Sequence, residues 1–164
     1  MLLLASTALL IVCMTASTVL AREVPGTSDG PPLPSGAVGL DVLGRYQAVG
    51  AEISAYDPAS QRVFVTAAAE AATEEPVGLL QILDISDPAS PSLVATVNLS
   101  DTLGASPNSV AVYDGLVAVA LEDAADPQAP GRVGFFDVDG ALITTYPTGA
   151  MPDMITFTHD GSRC

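Results

Sequence analysis

The chain has 164 residues, with 19 acidic side chains against 5 basic ones and a formal net charge of -14. Every basic residue is an arginine (Arg22, Arg45, Arg62, Arg132, Arg163), which excludes a phosphate-binding or Schiff-base lysine. A chain this acidic repels nucleic acid backbones and anionic membrane surfaces, and one His with two Cys cannot build a His/Cys zinc site.

Residues 1 to 21, MLLLASTALLIVCMTASTVLA, are apolar apart from five Ser or Thr and carry no charged side chain. Val19 and Ala21 supply compact residues at the -3 and -1 positions of a peptidase site. The pattern predicts a secretory signal helix cleaved after Ala21 and no membrane span in the mature chain. Cleavage removes Cys13 and leaves Cys164 alone, so no internal disulfide is expected. Residues 22 to 40 follow as a linker. Within it, PGTSDGPPLPSG at 25 to 36 holds four Pro and three Gly and has no face to pack.

From residue 41 onward the pattern changes to short alternating runs rich in Val, Ile, Thr, Tyr and Phe. Strands are predicted at 52–56, 62–66, 78–85, 93–99, 109–113, 116–121, 132–138, 142–146 and 154–158. Asp57-Pro58 and Asp87-Pro88 mark turns through an Asp acceptor and a fixed Pro φ. Asp114-Gly115, Asp139-Gly140 and Asp160-Gly161 read as hairpins, because Gly takes positive φ at no steric cost. The only helix-like stretch after the signal is Ala67 to Glu75, where at most a turn or two is expected before Pro76.

The strands group into repeats at 51–100, 107–148 and, incompletely, 151–164. Their openings are alike: Ala51-Glu-Ile-Ser-Ala-Tyr-Asp57, Asn108-Ser-Val-Ala-Val-Tyr-Asp114, and Asp153-Met-Ile-Thr-Phe-Thr-His-Asp160. Four strands per unit of about 40 to 55 residues is the pattern of a β-propeller blade. The predicted fold class is all-β: a partial β-propeller of two four-stranded antiparallel blades plus the start of a third. A β-sandwich is the alternative that strand count alone allows.

Four segments together resemble a known family: Gly50 to Thr66, Leu80 to Pro91, Ser106 to Gly115 and Pro152 to Gly161. They are similar to the choice-of-anchor I family of secreted β-propellers, whose members carry labels such as mesenchyme-specific cell surface glycoprotein or alkaline-phosphatase-like. The resemblance implies a longer propeller, exported or held at the cell surface, with no family-wide catalysis. On that reading the chain is an N-terminal fragment, with its remaining blades and any anchor lying beyond it. His159 departs from the family's turn, which usually has Pro there.

Few residues suggest chemistry. Glu52, Asn108 and Asp153 stand at the starts of the three repeats, where the first strand of a blade lines a central channel. Glu52 and Asp153 are candidate metal ligands, with Ca²⁺ the cation their oxygens suit, and Asn108 is a candidate channel-lining residue. Acidic loops at Glu122-Asp123 with Asp126, and at Glu70 with Glu74 and Glu75, read as solvated surface. Asp137-Val138-Asp139-Gly140 lacks the later ligands of a calcium loop and reads as a hairpin. Gly26-Thr27-Ser28-Asp29-Gly30 matches a nucleophile elbow in letters only, since it lies in the linker. Met151 and Met154 read as packing residues, and Asn98-Leu99-Ser100 matches a glycosylation acceptor. The expected function is binding or scaffolding of an unidentified surface or extracellular ligand. The alternative is part of a metal-dependent phosphoesterase-like or phytase-like enzyme.

Overall fold

The computed structural model describes residues 41–69 and 77–164. The predicted signal helix, the whole 22–40 linker and the 70–76 stretch lie outside them. Eight strands form two four-stranded antiparallel sheets. The first holds β1 (Ala51–Asp57), β2 (Arg62–Ala69), β3 (Val77–Asp84) and β4 (Ser92–Asn98), neighbours in chain order. The second repeats that order with β5 (Ala105–Tyr113), β6 (Leu116–Asp123), β7 (Pro130–Phe136) and β8 (Leu142–Ala150). The fold is all-β with almost no helix, and the open sheets are consistent with partial propeller blades.

The alternation in the sequence places the core. In β2 and β3, Phe64, Leu80 and Ile82 point toward the second sheet, and in β6 and β7, Val117, Val119, Leu121 and Phe136 point back. All seven are fully buried and belong to one cluster with Val110, Leu99 and Ala105. Burying such side chains contributes about 1.5–3 kcal/mol each relative to exposure.

Turn chemistry joins the strands. Asp114 (φ 47) and Gly115 (φ 77) make the two-residue turn between β5 and β6, a geometry that needs positive φ at both positions. Asp137 Oδ1 accepts from the amides of Asp139 and Ala141 (2.9 and 2.8 Å) and closes the β7–β8 turn, so this segment is the predicted hairpin.

Three expectations need correction. Ala67 to Ala69, read as the start of a helical stretch, continue β2, because Ala67 and Ala68 pair with Leu79 and Gly78 across the ladder. The one short helix among the described residues is α1 (Leu99–Leu103), which the sequence reading took for strand end and loop. Asn98 caps it, accepting from the Asp101 amide at 2.9 Å, and Gly104 (φ 60) ends it. Finally, Met154–Thr158 does not form the ninth strand, since no ladder partner lies beside it. Its turn is made nonetheless: the Thr158 amide donates to Arg163 O (2.9 Å) and the Gly161 amide to Thr158 O (2.9 Å).

The ladders of the two sheets can be matched position by position over most of their length. Both have a register shift in the first strand, at 51–54 and at 107–109, and both have one in the fourth strand, skipping Val94 and Ile143. Gly78 pairs with Ala68, and Gly131 stands at the matching place in β7. These matches make Phe64 equivalent to Ala118, Ile82 to Phe135, Leu80 to Val133 and Val97 to Tyr146. Asp57 is equivalent to Tyr113, one residue away from the pairing of Tyr56 with Tyr113 that the sequence repeat offers. A slip of one flips a strand's faces, so the ladder decides the register.

Candidate functional site

Glu52 and Asn108 occupy equivalent positions in the ladders of the two sheets. Glu52 and Asn108 lie within the register shifts of β1 and β5, and Asp153 follows Pro152 as Asn108 follows Pro107. A bulge re-aims a side chain away from the ladder, which lets a polar residue stand at that point of the strand. Glu52 and Asp153 are exposed and Asn108 is half-buried.

The Asn108 amide is already engaged. It donates to Glu122 Oε2 (3.1 Å) and to the Pro152 carbonyl (3.3 Å). Beside it, the Ser109 hydroxyl, almost fully buried, accepts from the Ile155 amide (3.3 Å). Asn108 and Ser109 therefore tie the second sheet to the segment from Pro152 to Ile155. Among the described residues, no group of three or more His, Cys, Asp or Glu stands close enough to hold a metal ion.

The joint between repeats also uses residues that sequence reasoning missed. A Cβ on Gly78 would lie 2.6 Å from Pro107 Cδ, and one on Gly131 would lie 2.6 Å from Pro152 Cδ. Each glycine is the second residue of the third strand of its sheet; Pro107 is the third residue of β5, and Pro152 follows β8 in a segment that forms no strand. The glycine has no Cβ so that the proline ring can seat against backbone. Spacing hides the motif, because the loops between the members differ in length; aligning the repeats on Gly and Pro instead of Tyr-Asp reveals it.

Arg62 is the second missed residue. From β2 it crosses to the second sheet, where its Nη1 donates to the Val138 carbonyl and to Asp139 Oδ1 (2.6 Å). The same hairpin places Gly140 against Ile82 and Val97, where a Cβ would come within 2.9 Å of both side chains. Asp139 is thus half of an ion pair between sheets.

Most acidic residues of the loops serve as turn acceptors. Asp57 is only 2% exposed. Burial pushes its carboxyl up, but the Ser60 hydroxyl and amide, with the amides of Ala59 and Gly115, outweigh that and hold it below the ordinary range. The Gly115 contact links the first turns of the two sheets, which flank a cleft of about 490 Å³ lined by Pro58, Ala59, Val112, Tyr113 and Asp114. The Ser86 hydroxyl and amide, helped by the charge of Arg62, lower Asp84. The amides of Asp126 and Ala125 lower Asp123 within the acidic loop, where Asp126 in turn accepts from the Gln128 amide. The Thr158 hydroxyl with the amide and hydroxyl of Ser162 brings Asp160 down to about 2.

Glu70, Glu74, Glu75 and the Gly26–Gly30 motif lie outside the described residues. Met151 and Met154 are 53% and 78% exposed, so they do not pack as expected; Met151 Sδ accepts from Gln128 Nε2 (3.2 Å). No helix among the described residues is long and apolar enough to cross a membrane.

A family model, the choice-of-anchor I domain, matches residues 52–164. The chain belongs to the choice-of-anchor I domain family. The match begins at Glu52 in β1 and takes in both sheets, the Gly–Pro joints and the turn at Asp160. No curated protein and no solved structure matches this choice-of-anchor I chain.

Proposed function

We propose that this chain is an exported β-propeller module that binds or scaffolds at the cell surface, with further blades completing the ring. The observation that carries the proposal is the choice-of-anchor I match over two consecutive sheets of the same strand order. Repeat architectures stack units that each contact only their neighbours and present loops along one face. The turns here fit that use, because their carboxylates accept from local amides and hydroxyls. The uncharged apolar residues 1 to 21 support export, and a charge of -14 favours a solvent-facing protein that stays soluble. Engagement of Asn108 in the joint favours binding by loops over chemistry in a channel.

Expression of the full chain in a secreting host tests the reading. The product is expected outside the cytoplasm or at the cell surface, with Arg22 as its new amino terminus by Edman or mass-spectrometric sequencing. Retention in the cytoplasm with Met1 intact would overturn it.

A further inference from the structure

We infer that the groove lined by Pro130, Gly131, Arg132, Thr145 and Pro147 binds a small monocarboxylate, with the Arg132 guanidinium as its main partner. The groove has a volume of about 270 Å³ and is built by β7 and β8 alone. It needs neither export nor further blades. Ladder equivalence shows that the repeat does not require an arginine there. Arg132 stands where the first sheet has Leu79, directly after the joint glycine; Leu79 pairs with Asn98 and Arg132 with Pro147. The first sheet ends β4 at Asn98 and turns into α1. The second carries β8 on to Ala150, with a register shift between Arg132 and Pro130 that has no counterpart in the first. An irregularity of this kind bends a strand and re-aims its side chains, and such sites favour function.

The charges around the groove leave Arg132 available. Arg62 is paired with Asp139. Arg132 is half-buried, and among the described residues its guanidinium has no ion-pair or hydrogen-bond partner, nor has the Thr145 hydroxyl. The amides of Asp126 and Ala125, and after them the charge of Arg132, lower the carboxyl of Asp123. Asp123 accepts from those two amides at 3.0 Å and stands beyond ion-pairing distance of Arg132. A guanidinium presents a planar fork of donors that matches a carboxylate in bidentate fashion. Thr145 adds a hydroxyl, and the rings of Pro130 and Pro147 offer apolar walls to the carbon part of the acid. Volume and charge select the occupant. The groove is smaller than the roughly 300–1,000 Å³ of pockets for larger ligands. A chain of net charge -14 repels a polyanion everywhere beyond this one guanidinium. A small acid with a single negative charge meets both conditions.

Arginine Nε–H NMR of the full chain tests the site, with D-glucuronate titrated against glucose, sulfate and chloride at constant ionic strength. The Arg132 signal, assigned by its loss in Arg132→Met, should shift saturably with glucuronate and stay still with glucose, while Arg62 does not move. Affinities of the variants are read from the Gly131 amide. Arg132→Lys keeps the charge without the fork and should weaken binding about fivefold or more. Thr145→Val should weaken it about threefold. Asp123→Asn keeps the turn acceptor, removes a nearby negative charge and should tighten it about threefold. An Arg132 signal that ignores glucuronate would overturn the site, as would equal shifts with chloride or undiminished affinity in Arg132→Lys. Tighter binding of polyglutamate than of glucuronate would overturn the small acid as occupant. None of these results bears on where the chain is exported, so the two readings fail separately.

Discussion

The two sheets share one ladder pattern and differ in what covers them. The first sheet turns Phe64, Leu80 and Ile82 onto the second and buries them fully. The second presents Ala118, Val133 and Phe135 at the same positions and leaves the outer two half-buried. Equivalent backbone therefore does not mean equivalent energetics: a position's worth depends on what covers it.

The largest expected effect breaks that comparison directly. Ile82→Ala should destabilise by about 2–5 kcal/mol, whereas Phe135→Ala should cost less than about 1.5 kcal/mol despite removing more atoms, because its site is half open. Urea denaturation of the two variants measures the difference, and equal costs would contradict it.

The joint glycines come next. Gly78→Val and Gly131→Val each force a side chain into a proline ring and should cost about 1–3 kcal/mol by overpacking. Thermal melts that match the unsubstituted protein would show that the joint gives way freely.

Arg62 probes the ion pair that the second sheet lacks. Its side chain is 20% exposed and Asp139's is 72% exposed, so Arg62→Met should cost only about 1 kcal/mol, partly relieved by added salt in the original protein. Leu116→Ala, at the equivalent place, should show no salt dependence.

The smallest effect is spread over the turns of both sheets. Asp57, Asp84, Asp123 and Asp160 all have folded pKa values below the ordinary 3.8. The unfolded chain then takes up protons first as pH falls. Their stabilisation is complete above about pH 5 and declines through 3.8 toward the folded values, about 2 for Asp160. Urea midpoints at pH 7, 5, 4 and 3 should be level and then fall; a rise between pH 5 and 3 would contradict the sign.

Much of this was legible in the residues. Alternation placed eight strands, since side chains of a half-buried strand face opposite ways with period two. Asp-Gly and Asp-Pro placed the turns, because acceptor side chains and positive φ are local requirements. Glu52, Asn108 and Asp153 were singled out as residues near the starts of the repeats, and the ladders place the first two at matching register shifts. Their role was not legible, because the engagement of Asn108 with Glu122 and Pro152 spans 14 and 44 residues of sequence. The Tyr-Asp alignment of the repeats was off by one because the first hairpin of the first sheet is longer, and only the ladder counts residues across strands. The Leu99–Leu103 helix escaped because five residues give too little periodicity to read.

The sequence by itself determined the class of fold, the turns, the acidic character and the family, for these are set by local patterns and composition. The tertiary structure alone decided the register, the Gly–Pro joints, the reach of Arg62 across the sheets and the exposure of Tyr146. Each of those depends on which distant backbone lies opposite a residue, and no local pattern contains that distance.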